Sequence, residues 1–199
     1  MPTIPDYRSY DAAAVRISAA LVARVTPGDL AAPTPCAEWS LGDLLAHMTA
    51  QHHGFAAAAQ GGGAALAVWQ PTTSVDPVGD YARAAERVIA AFAPDDVLER
   101  HFDLPEFGPG FRVPGRQAIS FHFIDYVVHG WDVARSLGIP LEVDDDMAAA
   151  GLVIARRVPD GPRRLSPDSA FRPGIPPPDD GTVLDQILAA LGRSPAWPD

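Results

Sequence analysis

The sequence has 199 residues, of which 47% are hydrophobic and 20% charged, which suits one domain with a well-buried core. Its formal net charge of -10 excludes the basic surface with which proteins bind nucleic acid or anionic lipid. Residues 1–11 contain no basic segment followed by an apolar run, as a secretory signal would, and the sequence has no run of about 18 apolar residues that could cross a membrane. We therefore expect a soluble, cytoplasmic protein that acts on a small ligand or a protein partner. Its single cysteine, Cys36, cannot form an internal disulfide.

Two helices are predicted in the first 60 residues. The first has Asp11 as its N-cap and continues until Pro27, because apolar residues recur between them at helical spacing. A proline-rich connection follows. Ser40, with Asp43 three residues later, resembles a capping box that opens the second helix. That helix is expected to run to about Gln60, where three glycines end it.

The rest of the chain predicts four more helices and one irregular segment. Apolar residues at helical spacing predict a third helix over 81–92. The segment 100–114 lacks helical period and contains two glycines, which favours a small hairpin or an ordered loop. A long fourth helix is predicted over 115–137, and two shorter ones over 144–158 and 182–191. Helices separated by loops indicate an all-α bundle, here one domain over the whole chain.

The fourth helix carries a stripe of four polar residues. At about 100° per residue, positions i, i+3, i+7 and i+10 share one face. These positions are His122, Asp125, His129 and Asp132. Most of the remaining surface of this helix is apolar, so the stripe is expected to point into the protein. Buried imidazoles and carboxylates need partners, and a bound cation satisfies such a set. The stripe therefore predicts a divalent-metal site.

A third protein ligand has to come from another helix. Asp125 and His129 are four residues apart, so both can reach one ion from adjacent turns. The candidates on helix two are His47, His52 and His53, and periodicity leaves the choice between His47 and His52 open. The competing interpretation is a hydrogen-bonded network at a helix seam, with His52 as an ordinary core histidine. For His52 and His53 we favour that structural interpretation.

Two residues of the stripe are predicted to serve catalysis. Asp132, near His129, is a candidate for orienting an imidazole, and His122 for moving a proton or acting as an alternative ligand. Cys36 is interpreted as an ordinary packed cysteine because Pro35 and Trp39 flank it. The tryptophans are likewise predicted to be packing residues rather than platforms for a substrate.

Three motifs resemble one known family. Residues 34–40, TPCAEWS, followed by DLLAH at 43–47, resemble the opening motif of the mycothiol-dependent maleylpyruvate isomerase-like proteins, which lie within the DinB-like metalloenzyme superfamily. Residues 125–134, DYVVHGWDVA, resemble the metal-binding helix of the same group. Residues 191–197 resemble the C-terminus of its short, actinobacterial-type members. The order and separation of the motifs make the resemblance specific.

The resemblance implies a DinB-like four-helix bundle with a defined metal triad. Matched residue by residue, the triad is His47 from helix two with Asp125 and His129 from helix four. The isomerase itself has glutamate where this chain has Asp125, one methylene shorter. It also has an additional C-terminal domain that contributes to catalysis, for which 199 residues leave no room. We therefore do not expect maleylpyruvate to be the substrate.

The implied activity is that of a thiol-dependent metalloenzyme, a transferase or an isomerase acting on a small electrophile. Mycothiol is the expected thiol cosubstrate. Two imidazoles and one carboxylate favour Zn²⁺, with Ni²⁺, Mn²⁺ and Fe²⁺ as further options. Two alternatives stay open: a non-catalytic helical binding or stress-associated module, which could be a homodimer, and a metal-dependent hydrolase.

Overall fold

The computed structural model describes residues 4–36, 39–166 and 169–198. The chain divides into two compact units, Met1–Leu137 and Gly138–Asp199, and the predicted single domain stays a prediction. The helices are α1 (Arg8–Val22), α2 (Leu41–Ala59), α3 (Pro77–Phe92), α4 (Gly115–Ser136), α5 (Asp145–Ala155) and α6 (Val183–Ala190). The strands are β1 (His101–Asp103) and β2 (Arg112–Pro114). The predicted all-helical fold class is confirmed.

The first unit is built around a four-helix bundle. Helix α1 packs against α3 and α4, and α2 packs against the same two helices. Helix α4 is the most buried of them, because apolar side chains cover most of its circumference. Three of its four stripe residues, His122, His129 and Asp132, are buried and face protein rather than water, whereas Asp125 is half-buried.

Local signals place the ends of α2 and α4 as predicted. The Ser40 hydroxyl accepts a hydrogen bond from the backbone N–H of Asp43 at 3.2 Å, and the Asp43 carboxylate accepts one from the backbone N–H of Ser40 at 3.0 Å. This reciprocal capping box fixes the start of α2. Helix α4 ends before Gly138, whose φ of 65° is left-handed and stops the helix. Local motifs therefore fix where α2 begins and where α4 ends, and these are the two helices that carry the candidate ligands.

The predicted start and end of α1 are wrong. The helix begins at Arg8, so Asp11 lies inside it, 1% exposed, instead of capping it. The reason is a distant partner, because the Asp11 carboxylate pairs with the buried His122 ring. The helix also ends at Val22, before Pro27, and Val25 in the following turn is buried in the core.

The segment near 100–114 forms the predicted small hairpin. Strands β1 and β2 pair antiparallel, with Phe102 opposite Val113, and both of these side chains are buried. A short 3-10 turn, Pro105–Phe107, lies between the strands. No helix in the described part of the chain is long and apolar enough to cross a membrane.

The second unit contains α5 and α6, which pack against each other. Asp144 caps α5 by accepting a hydrogen bond from the backbone N–H of Met147 at 2.7 Å. Arg164 is 4% exposed and donates to backbone carbonyls, including that of Ala190 at 2.7 Å. These carbonyls, with the Asp160 carboxylate 3.6 Å from the Arg164 guanidinium, satisfy a buried cation, which makes this arginine a structural residue. Helices five and six are confirmed.

Candidate functional site

The structure brings His47, Asp125 and His129 together, as the sequence predicted. One possible ligand atom from each lies within 4.8 Å of the others. The His129 Nε2 atom is 3.5 Å from the Asp125 Oδ1 atom, and the His47 and His129 ring centroids are 5.3 Å apart. His129 is buried, whereas His47 and Asp125 are half-buried. The cluster is therefore anchored in the bundle on one side and accessible on the other.

The two histidines of the cluster have opposite electrostatics. Burial lowers the pKa of His47 to about 4, helped by the nearby His129 and opposed by the charge of Asp125. Burial also acts to lower the pKa of His129, but Asp125, Cys36 and the hydrogen bond to Asp132 outweigh it and raise that pKa well above its usual value. His47 thus presents a neutral imidazole. His129 holds a proton that a cation would have to replace.

This donor set fits a divalent cation. Two imidazole nitrogens and one carboxylate oxygen converge from two helices, which is the ligand set of catalytic zinc sites that keep one coordination position open. Although Asp125 is one methylene shorter than glutamate, its oxygen still comes within 3.5 Å of the His129 ring. The shorter acidic residue therefore does not prevent the three groups from meeting.

Asp132 contacts the far side of the His129 ring. Its Oδ2 atom is 2.9 Å from His129 Nδ1, and Asp132 is fully buried. The Asp132 carboxylate accepts a hydrogen bond from Nδ1–H, and this orients the ring so that Nε2 faces Asp125. This is the contact that was expected of a residue that orients an imidazole, and the catalytic role of Asp132 stays a prediction.

Cys36 makes polar contacts that its interpretation as a packed cysteine did not include. Its thiol donates to Asp132 Oδ2 at 3.1 Å, and its sulfur lies 3.8 Å from His129 Nδ1. Thr34 shapes the loop, because its hydroxyl lies 3.0 Å from the carbonyl oxygens of both Cys36 and Trp39. A threonine two residues before the cysteine is the only sequence signal for this turn, and it is a weak one.

Two further residues border the cluster. The Trp39 ring lies 4.8 Å from the His47 ring and is 38% exposed, so it forms part of the rim rather than the core. Glu106, on the turn of the hairpin, accepts a hydrogen bond from the Gln51 amide at 2.7 Å. Sequence reasoning did not select Glu106, because a single acid in a loop of glycines and prolines has no periodicity to interpret.

His122 lies in a separate buried network. Its Nδ1 atom is 2.6 Å from Asp11 Oδ1, and its Nε2 atom is 3.2 Å from His52 Nδ1. Because the Nδ1–H of His122 donates to the Asp11 carboxylate, Nε2 of the neutral His122 ring accepts from Nδ1–H of His52. The Nε2 atom of His52 has no hydrogen-bond partner among the described residues. These contacts are structural, and the proposed proton shuttling by His122 stays a prediction.

His53 lies outside both groups. It is half-buried, and its Nδ1 atom has no hydrogen-bond partner in the described part of the chain. Burial lowers its pKa, with a contribution from the positive charge of Arg87. Neither His52 nor His53 joins the cluster of His47, Asp125 and His129. Of the three histidines of α2, His47 is the one that lies beside Asp125 and His129, and its role as a metal ligand stays a prediction.

The family model of the mycothiol maleylpyruvate isomerase N-terminal domain matches residues 12–134. This match covers more than half of the chain and includes His47, Asp125 and His129. The chain belongs to this family. Two uncharacterized proteins of Mycobacterium tuberculosis, from strains CDC 1551 and H37Rv, are each 31% identical to it over 176 residues, which is 88% of this chain and 91% of each relative.

Solved structures of the family share the fold. A crystal structure of the mycothiol-dependent maleylpyruvate isomerase matches with a TM-score of 0.57 at 10% identity, over 77% of this chain and 68% of that one. The structure of a histidine-to-alanine mutant of that isomerase matches over the same shares with a TM-score of 0.58 and 10% identity. The predicted helical bundle fold is thereby confirmed.

Proposed function

We propose that the protein is a divalent-metal-dependent enzyme that uses a low-molecular-weight thiol, mycothiol by family relationship, to isomerise or to add sulfur to a small electrophile. The observation that carries the proposal is the convergence of His47, Asp125 and His129 at a half-open face of the bundle. Membership in a family named for a mycothiol isomerase supports the choice of thiol.

Each residue of the cluster has a distinct part in this proposal. His47 supplies a neutral nitrogen, because its pKa of about 4 leaves it unprotonated at neutral pH. His129 supplies Nε2, held in position by the Asp132 carboxylate on Nδ1. Asp125 supplies negative charge that offsets the charge of a cation. A bound divalent cation, Zn²⁺ for this donor set, would supply Lewis-acid chemistry that favours the thiolate form of a coordinated thiol.

The direct test is elemental analysis of protein purified without a histidine tag. We expect about one zinc ion per chain in the wild type and less than a tenth of that in His129→Ala, because a site with only two protein ligands binds zinc weakly. His101→Ala is the matched control, since His101 is an exposed histidine on the hairpin, and its zinc content should equal that of the wild type.

Other outcomes favour the competing functions. A wild type without stoichiometric metal would leave the cluster as a structural hydrogen-bonded network. A zinc protein that hydrolyses simple esters without any thiol would instead be a hydrolase. Calorimetric titration with mycothiol separates the leading proposal from both, because only that proposal requires the zinc-loaded protein to bind the thiol.

A further inference from the structure

The turn that carries Glu106 is fixed against α4. The Phe107 ring stacks on the Phe121 ring at a centroid distance of 5.3 Å. Phe121 precedes Asp125 by four residues, one helical turn, so the two side chains share a face of α4. The hairpin turn therefore lies beside the part of α4 that contributes Asp125 to the cluster.

A second contact holds the Glu106 carboxyl group to α2. Gln51 is 6% exposed and follows His47 by four residues, so it lies one turn further along the same face. Its amide donates to Glu106 Oε2 at 2.7 Å, while Oε1 has no hydrogen bond with the described residues. The carboxyl group is thus held to α2 on a turn that itself packs against α4. Because Glu106 is exposed, its second oxygen is available to an entering molecule.

We propose that Glu106 is the proton acceptor for the thiol that enters the cluster. In this step the S–H bond breaks, the electron pair stays on sulfur, and the proton passes to Glu106 Oε1. When the sulfur attacks the electrophile, the same proton is available to neutralise the negative charge that develops there. No redox change and no further reactant are needed. The inference rests on the proposed function and adds a residue that the metal cluster alone does not supply.

The surroundings of Glu106 make its carboxylate a stronger base than that of an ordinary glutamate. Partial burial of the carboxyl group raises the pKa of Glu106, the hydrogen bond from Gln51 offsets part of that rise, and the charge of Asp125 adds to it. Gln51 on α2 is neutral, and Asp125 is the acidic group of α4 that acts on Glu106. A carboxyl group with a raised pKa retains a transferred proton better than an ordinary glutamate, as a general base operating near neutral pH requires.

Proton release on thiol binding tests this role without any turnover. Mycothiol is titrated calorimetrically into the zinc-loaded protein at pH 7, in buffers with different ionisation enthalpies. A thiol with a pKa near the usual value of about 8.5 gives up nearly one proton when it becomes a thiolate. In the wild type Glu106 should retain part of that proton, so fewer protons should reach the buffer than in Glu106→Gln. Glu86→Gln, on an exposed residue of α3, should behave like the wild type.

The outcomes separate this inference from the proposed function. Absence of mycothiol binding to the zinc-loaded wild type would overturn both. Binding with the same proton release in the wild type and Glu106→Gln would overturn the role of Glu106 alone. Loss of zinc from Glu106→Gln would also overturn it, because Glu106 would then be a metal ligand.

Discussion

The His129 ring faces a carboxylate on each of its two nitrogens. Asp132 contacts Nδ1 at 2.9 Å and Asp125 lies 3.5 Å from Nε2. A neutral imidazole has one N–H and can donate to only one of them, so the metal-free ring is stabilised when it carries a second proton. A cation at the cluster would take the place of that second proton on the Nε2 side. The arrangement thus links proton binding and metal binding at a single residue.

His52 allows a test of the buried network that it forms with His122 and Asp11. Burial, with the neighbouring His122 and His53, holds the pKa of His52 well below its usual value of 6.5. The unfolded chain therefore takes up a proton that the folded protein resists. The stabilising contribution of the neutral ring is complete above about pH 6.5, and it falls as the pH decreases below that value, by up to about 1.4 kcal/mol per pH unit.

His52→Asn is expected to remove this dependence, because the asparagine amide can still donate to His122 but does not titrate. In metal-free protein, the loss of unfolding free energy between pH 7 and pH 5 should be smaller in His52→Asn than in the wild type. Urea unfolding at the two pH values measures it. His101→Asn, at an exposed position, should keep the wild-type loss. Equal losses in wild type and His52→Asn would contradict the assignment.

Among the helices, α2 depends on a close contact at Gly54. A Cβ atom there would lie 2.2 Å from Cε3 of Trp69, whose ring is buried and whose indole N–H donates to the Gly63 carbonyl at 2.8 Å. The tryptophan has no room to move away. We expect Gly54→Ala to lower the free energy of unfolding by about 1–3 kcal/mol, as overpacking of a core does. Chemical denaturation measures this change.

Gly130, in the interior of α4, provides the matched control. A Cβ atom at this position would meet Ser18 Cβ at 3.8 Å, which is an ordinary van der Waals contact. The gain in helix propensity should then give Gly130→Ala about 0.5–1 kcal/mol of added stability. A similar effect of both substitutions would mean that the contact with Trp69 does not restrict α2.

The same elements indicate what could be predicted from sequence. The start of α2 was predictable because Ser40 and Asp43 lie three residues apart and form a local motif. Asp11 was assigned to a helix cap because nothing local reveals a partner 111 residues away at His122. Local sequence patterns therefore cannot predict the role of a residue whose partner is distant in the chain, even where the helix itself is predicted correctly.

In the molecule as a whole, the spacing of polar residues along one helix predicted only the part of the candidate site that α4 contributes. The spacing of Asp125 and His129 follows from a single helix, whose geometry is fixed. The choice of His47 over His52 depends on how α2 is rotated in the bundle, which packing determines and which the family resemblance anticipated. Cys36 and Glu106 lie in loops, where position relative to the helices has no period. Their part in the site emerges only from the folded chain.

The cluster joins α2 to α4, so cation binding should be linked to the stability of the whole bundle. A ligand that binds only the folded chain adds RT ln(1 + [L]/Kd), about 2.7 kcal/mol at a concentration 100 times Kd. We expect Zn²⁺ to raise the midpoint of thermal unfolding of the wild type and a chelator to reverse the rise. His47→Ala should lose most of the increase, because it removes the only proposed ligand on α2, whereas His101→Ala should retain it.

An equal increase in His47→Ala and wild type would place the zinc elsewhere. No increase in either would mean that the two helices are held together by packing alone, and that the polar stripe of α4 serves the core rather than a metal.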